Sequence, residues 1–183
     1  MLLIPQSFFN RKTLRVAEDL IGKYLVRRYY SPSRKRYVVA RERITETEAY
    51  VGEHDLACHT SRGKTKRNEV MFRQAGTIYV YFTYGMHWML NIVTEKEGCG
   101  TAVLIRGTEN ISGPARLTKA LKIDKTLNGQ KLGRKSGLWV EEDPTSPRLR
   151  GTKEIARTPR IGVSRAPDGW AEEPYRFVLK KNK

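Results

Sequence analysis

Residues 44–93 decide the fold of this chain: they begin with ITETEAYVGEHDLACH (44–59) and end with YVYFTYGMHWMLNIV (79–93). Both ends of the stretch are rich in β-branched and aromatic residues, a composition typical of β-strands. The segment that joins them is polar, basic and punctuated by glycine, as expected of a loop. The stretch therefore predicts two strand-forming runs, one with acidic side chains and one with tyrosines, connected by a basic loop.

The sequence on either side extends this pattern. Apolar residues at helical spacing predict a helix over 14–21, and a second helix is predicted over 112–123, with Pro114 near its start. Strands are predicted at 24–30, 36–50, 77–82, 87–94, 101–107 and 138–143. Because few helices alternate with these strands, we expect them to pair antiparallel. Composition does not change sharply anywhere, so we predict one domain over residues 1–183 with a mixed α/β (α+β) fold.

The charge of the chain narrows the class of partner. The sequence has 35 Lys and Arg residues against 19 Asp and Glu residues, which gives a formal net charge of +16 and a pI near 10.1. A surplus of this size is suited to neutralising phosphates, so nucleic acid is the leading candidate partner. A surface adapted only for solubility would instead have mixed charges near neutrality.

The cysteines and apolar runs argue against several classes. Cys58 and Cys99 stand alone without a CxxC pattern, which argues against a zinc site and a disulfide framework. Residues 1–12 lack the features of a secretory signal, and no apolar run approaches the roughly 18 residues of a membrane helix. We expect a soluble, intracellular protein, in the cytoplasm at the bacterial nucleoid, or nuclear if its source is eukaryotic, and not secreted.

Glu46 and Glu48 are candidate catalytic acids. They lie two positions apart on a predicted strand, so their side chains and that of Tyr50 point to the same face. A carboxylate beside an aromatic side chain could deprotonate water or stabilise a sugar cation during cleavage of a glycosidic bond. Two carboxylates on one face are also typical of a solvated strand, and spacing alone does not decide which glutamate would act.

Aromatic residues could bind a base that has been taken out of a duplex. Tyr50, His59 and Tyr81 could sandwich such a base by stacking, which is worth ~1–3 kcal/mol per base. Tyr84 lies beside Gly85 in a predicted turn, where a large side chain has little core to join. Tyr84 could therefore wedge into a duplex and fill the gap left by an extruded base.

Two polar residues on the later strands have both a structural and a functional interpretation. Asn91 is either an ordinary strand residue or a side chain that tests the donors and acceptors of a base. Arg106 ends an apolar strand and is either a buried structural arginine or a phosphate clamp. The basic, aromatic surroundings favour the clamp.

A metal-ion site is a weaker interpretation of the loop after the acidic strand. His54, Asp55 and His59 are possible ligands, and Glu48 could join them. Their spacing lacks the HExxH pattern, and no cysteine pair accompanies them. We expect hydrogen-bonded loop residues here, with a metal-dependent nuclease built on Glu48, Asp55 and His59 as a rival hypothesis.

Several blocks of the chain resemble the alkyladenine (3-methyladenine) DNA glycosylase family. In order, they are ETEAYVGEHDLACH (46–59), RGKTKRNEVMF (62–72), GTIYVYFTYGMHWMLNIV (76–93), AVLIRG (102–107) and GPARLTKAL (113–121). The resemblance extends from about residue 8 to the final strand, and long ordered blocks are far more specific than one short motif.

The resemblance implies the catalytic residues. Glu48, and not Glu46, would be the general base that activates the attacking water. Arg106 would help to position that water and contact the DNA backbone. A main-chain carbonyl within 161–163 would also hold the water, although the residue is not assigned.

The resemblance also implies how the substrate is held. Tyr50, His59 and Tyr81 would stack on the flipped base, and Asn91 would obstruct the exocyclic amino group of guanine. The intercalating residues would be Tyr84 and Met86, and the DNA backbone would be contacted by Lys64 and Arg67.

The fold and activity implied by the resemblance are specific. The family has a single α/β domain with a curved antiparallel sheet and a protruding, DNA-intercalating β-hairpin. It is monofunctional: it hydrolyses the N-glycosidic bond of 3-methyladenine, 7-methylguanine, hypoxanthine or ethenoadenine, needs no metal or cofactor, and leaves an abasic site. We expect a monomer that acts on double-stranded DNA containing damaged purines. A non-catalytic nucleic-acid-binding protein is the alternative.

Overall fold

The computed structural model describes residues 1–142 and 154–180, and it has the predicted α+β fold in a single domain. The strands are β1 (Leu2–Leu3), β2 (Tyr24–Ser31), β3 (Arg36–Tyr50), β4 (Ile78–Thr83), β5 (His87–Val93), β6 (Ala102–Thr108), β7 (Leu138–Glu142), β8 (Ile155–Thr158) and β9 (Arg176–Leu179). The α-helices are α1 (Thr13–Leu20) and α2 (Pro114–Ala120). In the described part of the chain, neither these helices nor the shorter 3₁₀ turns are long and apolar enough to cross a membrane.

The strands form one curled antiparallel sheet, as predicted. Seven strands follow the order β1-β7-β2-β3-β6-β5-β4, while β8 pairs with β9 and β9 pairs with β3. Helix α1 packs against β3 and β6, and α2 packs against β5 and β6. The core between helices and sheet is apolar and fully buried at residues such as Leu20, Ile44, Leu90, Ile105 and Leu117.

Strand β3 connects the two halves of this sheet. Its first half, residues 36–43, pairs with β2, and its second half pairs with β6 after a β-bulge between Ile44 and Thr47. Residues 46–48 also pair with β9. Glu46 and Glu48 therefore lie where the strand is hydrogen-bonded on both edges, which fixes the direction of their side chains.

The two faces of β3 have different surroundings at this point. Thr47 is fully buried and donates a hydrogen bond from Oγ1 to the carbonyl oxygen of Ala17 in α1, at 2.8 Å. Its neighbours Glu46 and Glu48 point to the other face, where both contact Arg106. The alternation predicted from the sequence is confirmed: one face of β3 packs on the helix and the other presents the carboxylates.

The hairpin of β4 and β5 turns at residues 83–86, where the Met86 N–H donates to the Thr83 carbonyl at 3.2 Å. Gly85 has a positive φ (67°), which glycine adopts readily, but Tyr84 has one as well (53°). Two successive positive φ values are those of a type I′ turn, which favours Asn-Gly at these positions. A bulky residue at positive φ is an outlier that costs on the order of 1–3 kcal/mol.

Replacing Thr47 by valine tests the assignment of the two faces. The substitution keeps the shape of the side chain but leaves the Ala17 carbonyl without its donor, so the free energy of unfolding should fall by about 1–3 kcal/mol. Urea unfolding measures the change. Thr45→Val is the matched control, because the Thr45 hydroxyl makes no hydrogen bond to the described residues. Equal losses in both variants would contradict the assignment.

Candidate active site

A cavity of ≈ 310 Å³ lies where β3, β4, β5 and β6 meet residues 161–163. Its size is at the small end of the range for ligand-binding clefts, roughly 300–1,000 Å³. Six of the residues singled out in the sequence line it: Tyr50, His59, Tyr81, Tyr84, Asn91 and Arg106. These residues are up to 56 positions apart, and the curl of the sheet brings them to one place.

Glu48 lies directly behind the wall of this cavity. Its side chain is 0% exposed, whereas that of Glu46 is 15% exposed. The Ile161 N–H donates to Glu48 Oε1 at 2.8 Å, and the Tyr50 hydroxyl donates to Oε2 at 3.0 Å. Tyr50 and Ile161, which hold the two oxygens of the carboxylate, both line the cavity.

Burial controls the protonation of Glu48. Loss of solvent raises the pKa of its carboxyl above the ordinary value of 4.5, against opposing effects from Arg106, the Ile161 N–H and the Tyr50 hydroxyl. Glu46 adds to the rise through like-charge repulsion. A carboxylate with a raised pKa is a stronger base than a solvated one, and such groups cluster at catalytic sites.

Arg106 bridges the two glutamates. Its Nη1 lies 3.4 Å from Glu48 Oε1, and its Nε donates to Glu46 Oε1 at 3.0 Å. Glu46 accepts a second hydrogen bond from Arg176 Nε at 2.6 Å. Oε1 of Glu46 therefore contacts two guanidinium groups, and through Arg106 the two glutamates share one cation.

The opposite side of the cavity is aromatic. The rings of His59 and Tyr81 meet edge to face with centroids 4.5 Å apart, and His59 Nδ1 lies 3.3 Å from the hydroxyl of Tyr79. Burial lowers the pKa of His59, so the imidazole is neutral at physiological pH. Burial also raises the pKa of Tyr81 to about 12 and raises that of Tyr79. This wall is therefore uncharged.

Asn91 lies on β5 within the cavity wall and is buried. Its Nδ2 donates to the main-chain carbonyls of Tyr79, at 3.3 Å, and Met89, at 3.5 Å. These contacts hold the amide in place. Asn91 is thus a fixed feature of the wall that a ligand must fit around.

The predicted DNA-contacting residues are exposed, and of these Tyr84 lines the cavity. Tyr84 lines the cavity although its side chain is 79% exposed, and Met86 in the same turn is 67% exposed. Arg67 is exposed, and its Nη2 donates to the carbonyl of Phe82 on β4 at 3.2 Å. Lys64 is also exposed, with its amine 5.9 Å from the Phe72 ring centroid.

The possible metal ligands in the loop after β3 have other partners. Asp55 is fully buried and forms a two-pronged ion pair with Arg160: its Oδ2 accepts from Nη1 at 2.5 Å and its Oδ1 from Nη2 at 2.9 Å. His54 packs its ring against Trp170. Within the described ranges there is no group of three or more His, Cys, Asp or Glu side chains suited to a metal ion. The nuclease hypothesis requires Asp55 to bind a metal ion, whereas in the structure Asp55 forms an ion pair with Arg160.

The Asp55–Arg160 pair connects the segments that surround Glu48. Asp55 accepts hydrogen bonds from two backbone N–H groups of its own loop, and Arg160 Nη1 donates to the Ala49 carbonyl on β3 at 3.0 Å. The guanidinium also lies over the Tyr50 ring, 4.9 Å from its centroid. Arg160 directly precedes Ile161, so the pair fixes both the N–H and the hydroxyl that hold the Glu48 carboxylate.

Sequence reasoning missed Arg160 and Arg176. Asp55 and Arg160 are 105 positions apart, and nothing local marks them as partners. The only available signal for Arg160 was its position next to the short apolar run 161–163, for which a main-chain role had been expected. Those three residues do line the cavity, and the main-chain contact observed there is the Ile161 N–H.

Comparison with known proteins shows which family the chain is similar to. The family description "Methylpurine-DNA glycosylase" matches residues 7–113 and 108–183. Proteins from Legionella pneumophila (strain Corby), Methanocella arvoryzae and Carboxydothermus hydrogenoformans are 45%, 42% and 42% identical to this chain. Each match covers 100% of this chain and 97%, 94% and 97% of the relative, respectively. All three carry the name "Putative 3-methyladenine DNA glycosylase".

The raised pKa of Glu48 predicts how stability depends on pH. A carboxyl with a raised pKa in the folded state stabilises the protein below its unfolded value of 4.5, and this stabilisation is lost as the pH rises through the folded value. Glutamine cannot ionise, so Glu48→Gln does not lose this stabilisation. Its free energy of unfolding should therefore increase relative to that of the wild type as the pH rises above 4.5.

Urea unfolding from about pH 4 to about pH 8 measures this difference. The exposed Glu69→Gln controls for the loss of one negative charge. A difference between wild type and Glu48→Gln that shrinks with rising pH would contradict the assigned direction of the pKa shift.

Proposed function

The chain belongs to the methylpurine-DNA glycosylase family, and from this membership we propose that it excises alkylated and deaminated purines from duplex DNA by base flipping and water attack. The proposed substrates are 3-methyladenine, 7-methylguanine, hypoxanthine and ethenoadenine. The observation that carries the proposal is a completely buried carboxylate, Glu48, behind an aromatic cavity of ≈ 310 Å³. A protein that only binds DNA has no use for such a costly group.

Glu48 is the proposed general base. A water molecule at the cavity wall gives up a proton to Glu48 while its oxygen attacks C1′ of the flipped nucleotide. The electrons of the broken glycosidic bond move to the purine nitrogen, so a cationic base leaves neutral and an abasic sugar remains. A neutral base such as hypoxanthine leaves as an anion, which takes up a proton from solvent. The positive charge of Arg106, 3.4 Å from Glu48 Oε1, stabilises the carboxylate and helps to position the water.

The aromatic wall is proposed to select the base. N-alkylated purines are cationic, and electron-rich rings attract cations through cation–π contacts. Tyr50, His59 and Tyr81 supply rings that stack on the base, and the neutral state of His59 avoids repulsion of a cationic ligand. The fixed amide of Asn91 disfavours guanine, because the exocyclic amino group of guanine crowds the wall. The base 7-methylguanine carries the same amino group and is excised because its positive charge weakens the glycosidic bond.

The hairpin is proposed to open the duplex. Tyr84 is exposed at the mouth of the cavity and holds a positive φ that disfavours a bulky side chain. The strained backbone at Tyr84 lowers the stability of the fold, and a functional role of the exposed ring would outweigh that cost. Tyr84 would fill the gap left by the flipped nucleotide with Met86 beside it, and Lys64 and Arg67 would hold the flanking phosphates.

The function is tested with a duplex that contains one hypoxanthine, incubated with the protein in the presence of EDTA and then treated with alkali. The wild type should yield strand breaks at the lesion, since neither water nor Glu48 depends on a metal ion. Glu48→Gln should lower the single-turnover rate about 100-fold or more while DNA binding is retained.

Glu69→Gln, on the exposed surface, is the matched control and should excise at the wild-type rate. Absence of strand breaks with hypoxanthine and with alkylated purines would refute the proposed activity. Breaks that disappear in EDTA would favour the metal-dependent nuclease.

Replacing Tyr84 tests whether its side chain wedges into DNA or stabilises the fold. Tyr84→Asn suits the positive φ better than tyrosine, so the thermal midpoint should stay the same or rise. Loss of stacking worth ~1–3 kcal/mol should weaken binding of lesion-containing duplex by about 5- to 140-fold. Tyr84→Phe keeps the ring and should bind like the wild type; if Tyr84→Asn also binds like the wild type, Tyr84 is not a wedge.

A further inference from the structure

The hairpin of β2 and β3 carries a group of basic and aromatic side chains that the excision site does not use. Residues 28–41 contain five cationic side chains and no acidic one: Arg28, Arg34, Lys35, Arg36 and Arg41. From sequence alone such a run favours a solvated hairpin. The structure adds three observations that distinguish a binding surface from a merely solvated hairpin.

The first observation is that one face of the hairpin is entirely exposed. Tyr30 pairs with Tyr37, and Arg28 pairs with Val39; residues directly opposite in an antiparallel ladder share a face. All four are exposed, with Tyr37 at 69% and Tyr30 at 53%. On the other face, Arg27, Tyr29, Val38 and Ala40 are half-buried or buried. The outer face therefore presents two tyrosines to solvent.

The second observation is that the aromatic and cationic groups are interleaved. The Tyr30 and Tyr37 rings meet edge to face with centroids 5.7 Å apart, and the Arg28 guanidinium carbon lies 5.7 Å from the Tyr37 ring centroid. The turn adds two serine hydroxyls, from Ser31 and Ser33, which contact each other at 3.2 Å. Arginine, lysine, serine and tyrosine side chains are the groups that hydrogen-bond to DNA phosphates.

The third observation concerns charge balance. Arg41 pairs with Glu141 on β7 at 3.3 Å, whereas Arg28 and the three cations of the turn make no ion pair with any described residue. Arg28 and the three cations of the turn repel each other, and a polyanion would relieve this repulsion. A protein partner of ordinary composition or a neutral surface would not relieve this repulsion.

We propose that this face of the β2–β3 hairpin binds the phosphate backbone of duplex DNA that lies away from the lesion. Tyr37 precedes Glu48 by eleven positions on the same strand, β3. At about 3.3 Å per residue the two lie no more than about 36 Å apart. At about 3.4 Å per base pair, the hairpin contacts DNA within about 11 base pairs of the flipped nucleotide. The contact holds the enzyme on undamaged DNA while it searches.

The test measures binding of undamaged duplexes from about 10 to about 35 base pairs long at several salt concentrations. The variant Arg34→Ala/Lys35→Ala/Arg36→Ala removes the cations of the turn. For the long duplex, its plot of log affinity against log salt should lose about 2.7 from the wild-type slope, since each phosphate contact contributes about 0.9. The wild type should gain affinity as the duplex lengthens, and the variant should lose that gain.

The matched control removes three exposed cations from other elements, in Arg15→Ala/Lys96→Ala/Lys119→Ala. If the control loses as much slope as the hairpin variant, or if the hairpin variant keeps the wild-type slope, the proposal is wrong. Circular dichroism verifies that both variants are folded. The measurement needs no excision, so it stands or fails independently of the proposed reaction.

Discussion

Complete burial of the Glu48 carboxylate is the constraint on which the functional half of this structure depends. An ionised group with no solvent must be hydrogen-bonded and paired, or it will be protonated. Its partners come from three separate parts of the chain: the Tyr50 hydroxyl, the Ile161 N–H and Arg106. The sheet has to curl for these parts to meet, and β3 has to be paired on both edges for the carboxylate to point at them.

The Asp55–Arg160 pair extends this constraint outward. It is a buried ion pair whose remaining hydrogen-bonding groups are taken up mostly by backbone, and breaking such a pair typically costs about 3–5 kcal/mol. Because Arg160 contacts the Tyr50 ring and precedes Ile161, the pair holds two of the three partners of Glu48. The outer surface is strongly cationic, whereas the aromatic wall of the cavity is uncharged. The surface therefore suits any DNA, and under the proposed function the choice of base falls to the cavity.

Much of this architecture can be read from the sequence, and the exceptions have physical reasons. The six longer strands and both helices followed from composition and periodicity, whereas the short β1 and β8 were not predicted. The shared face of Glu46 and Glu48 followed from alternation. Spacing could not choose between the two glutamates; family resemblance chose Glu48, and the difference in burial, 0% against 15%, is a property of the folded sheet alone. Asp55 looked like a metal ligand because its partner, Arg160, is distant in sequence. The positive φ of Tyr84 opposes local preference, so no propensity argument could have found it.

The central claim is that Glu48 acts as a base with a raised pKa. The most direct test is the single-turnover rate of 7-methylguanine excision as a function of pH, because this cationic base leaves without an added proton and the rate reports the base alone. The wild-type rate should rise with pH from below the ordinary carboxyl value of 4.5 and level off above the raised pKa of Glu48. Glu48→Gln should be slow and independent of pH. A Glu48→Gln enzyme with the same pH dependence as the wild type would contradict this account.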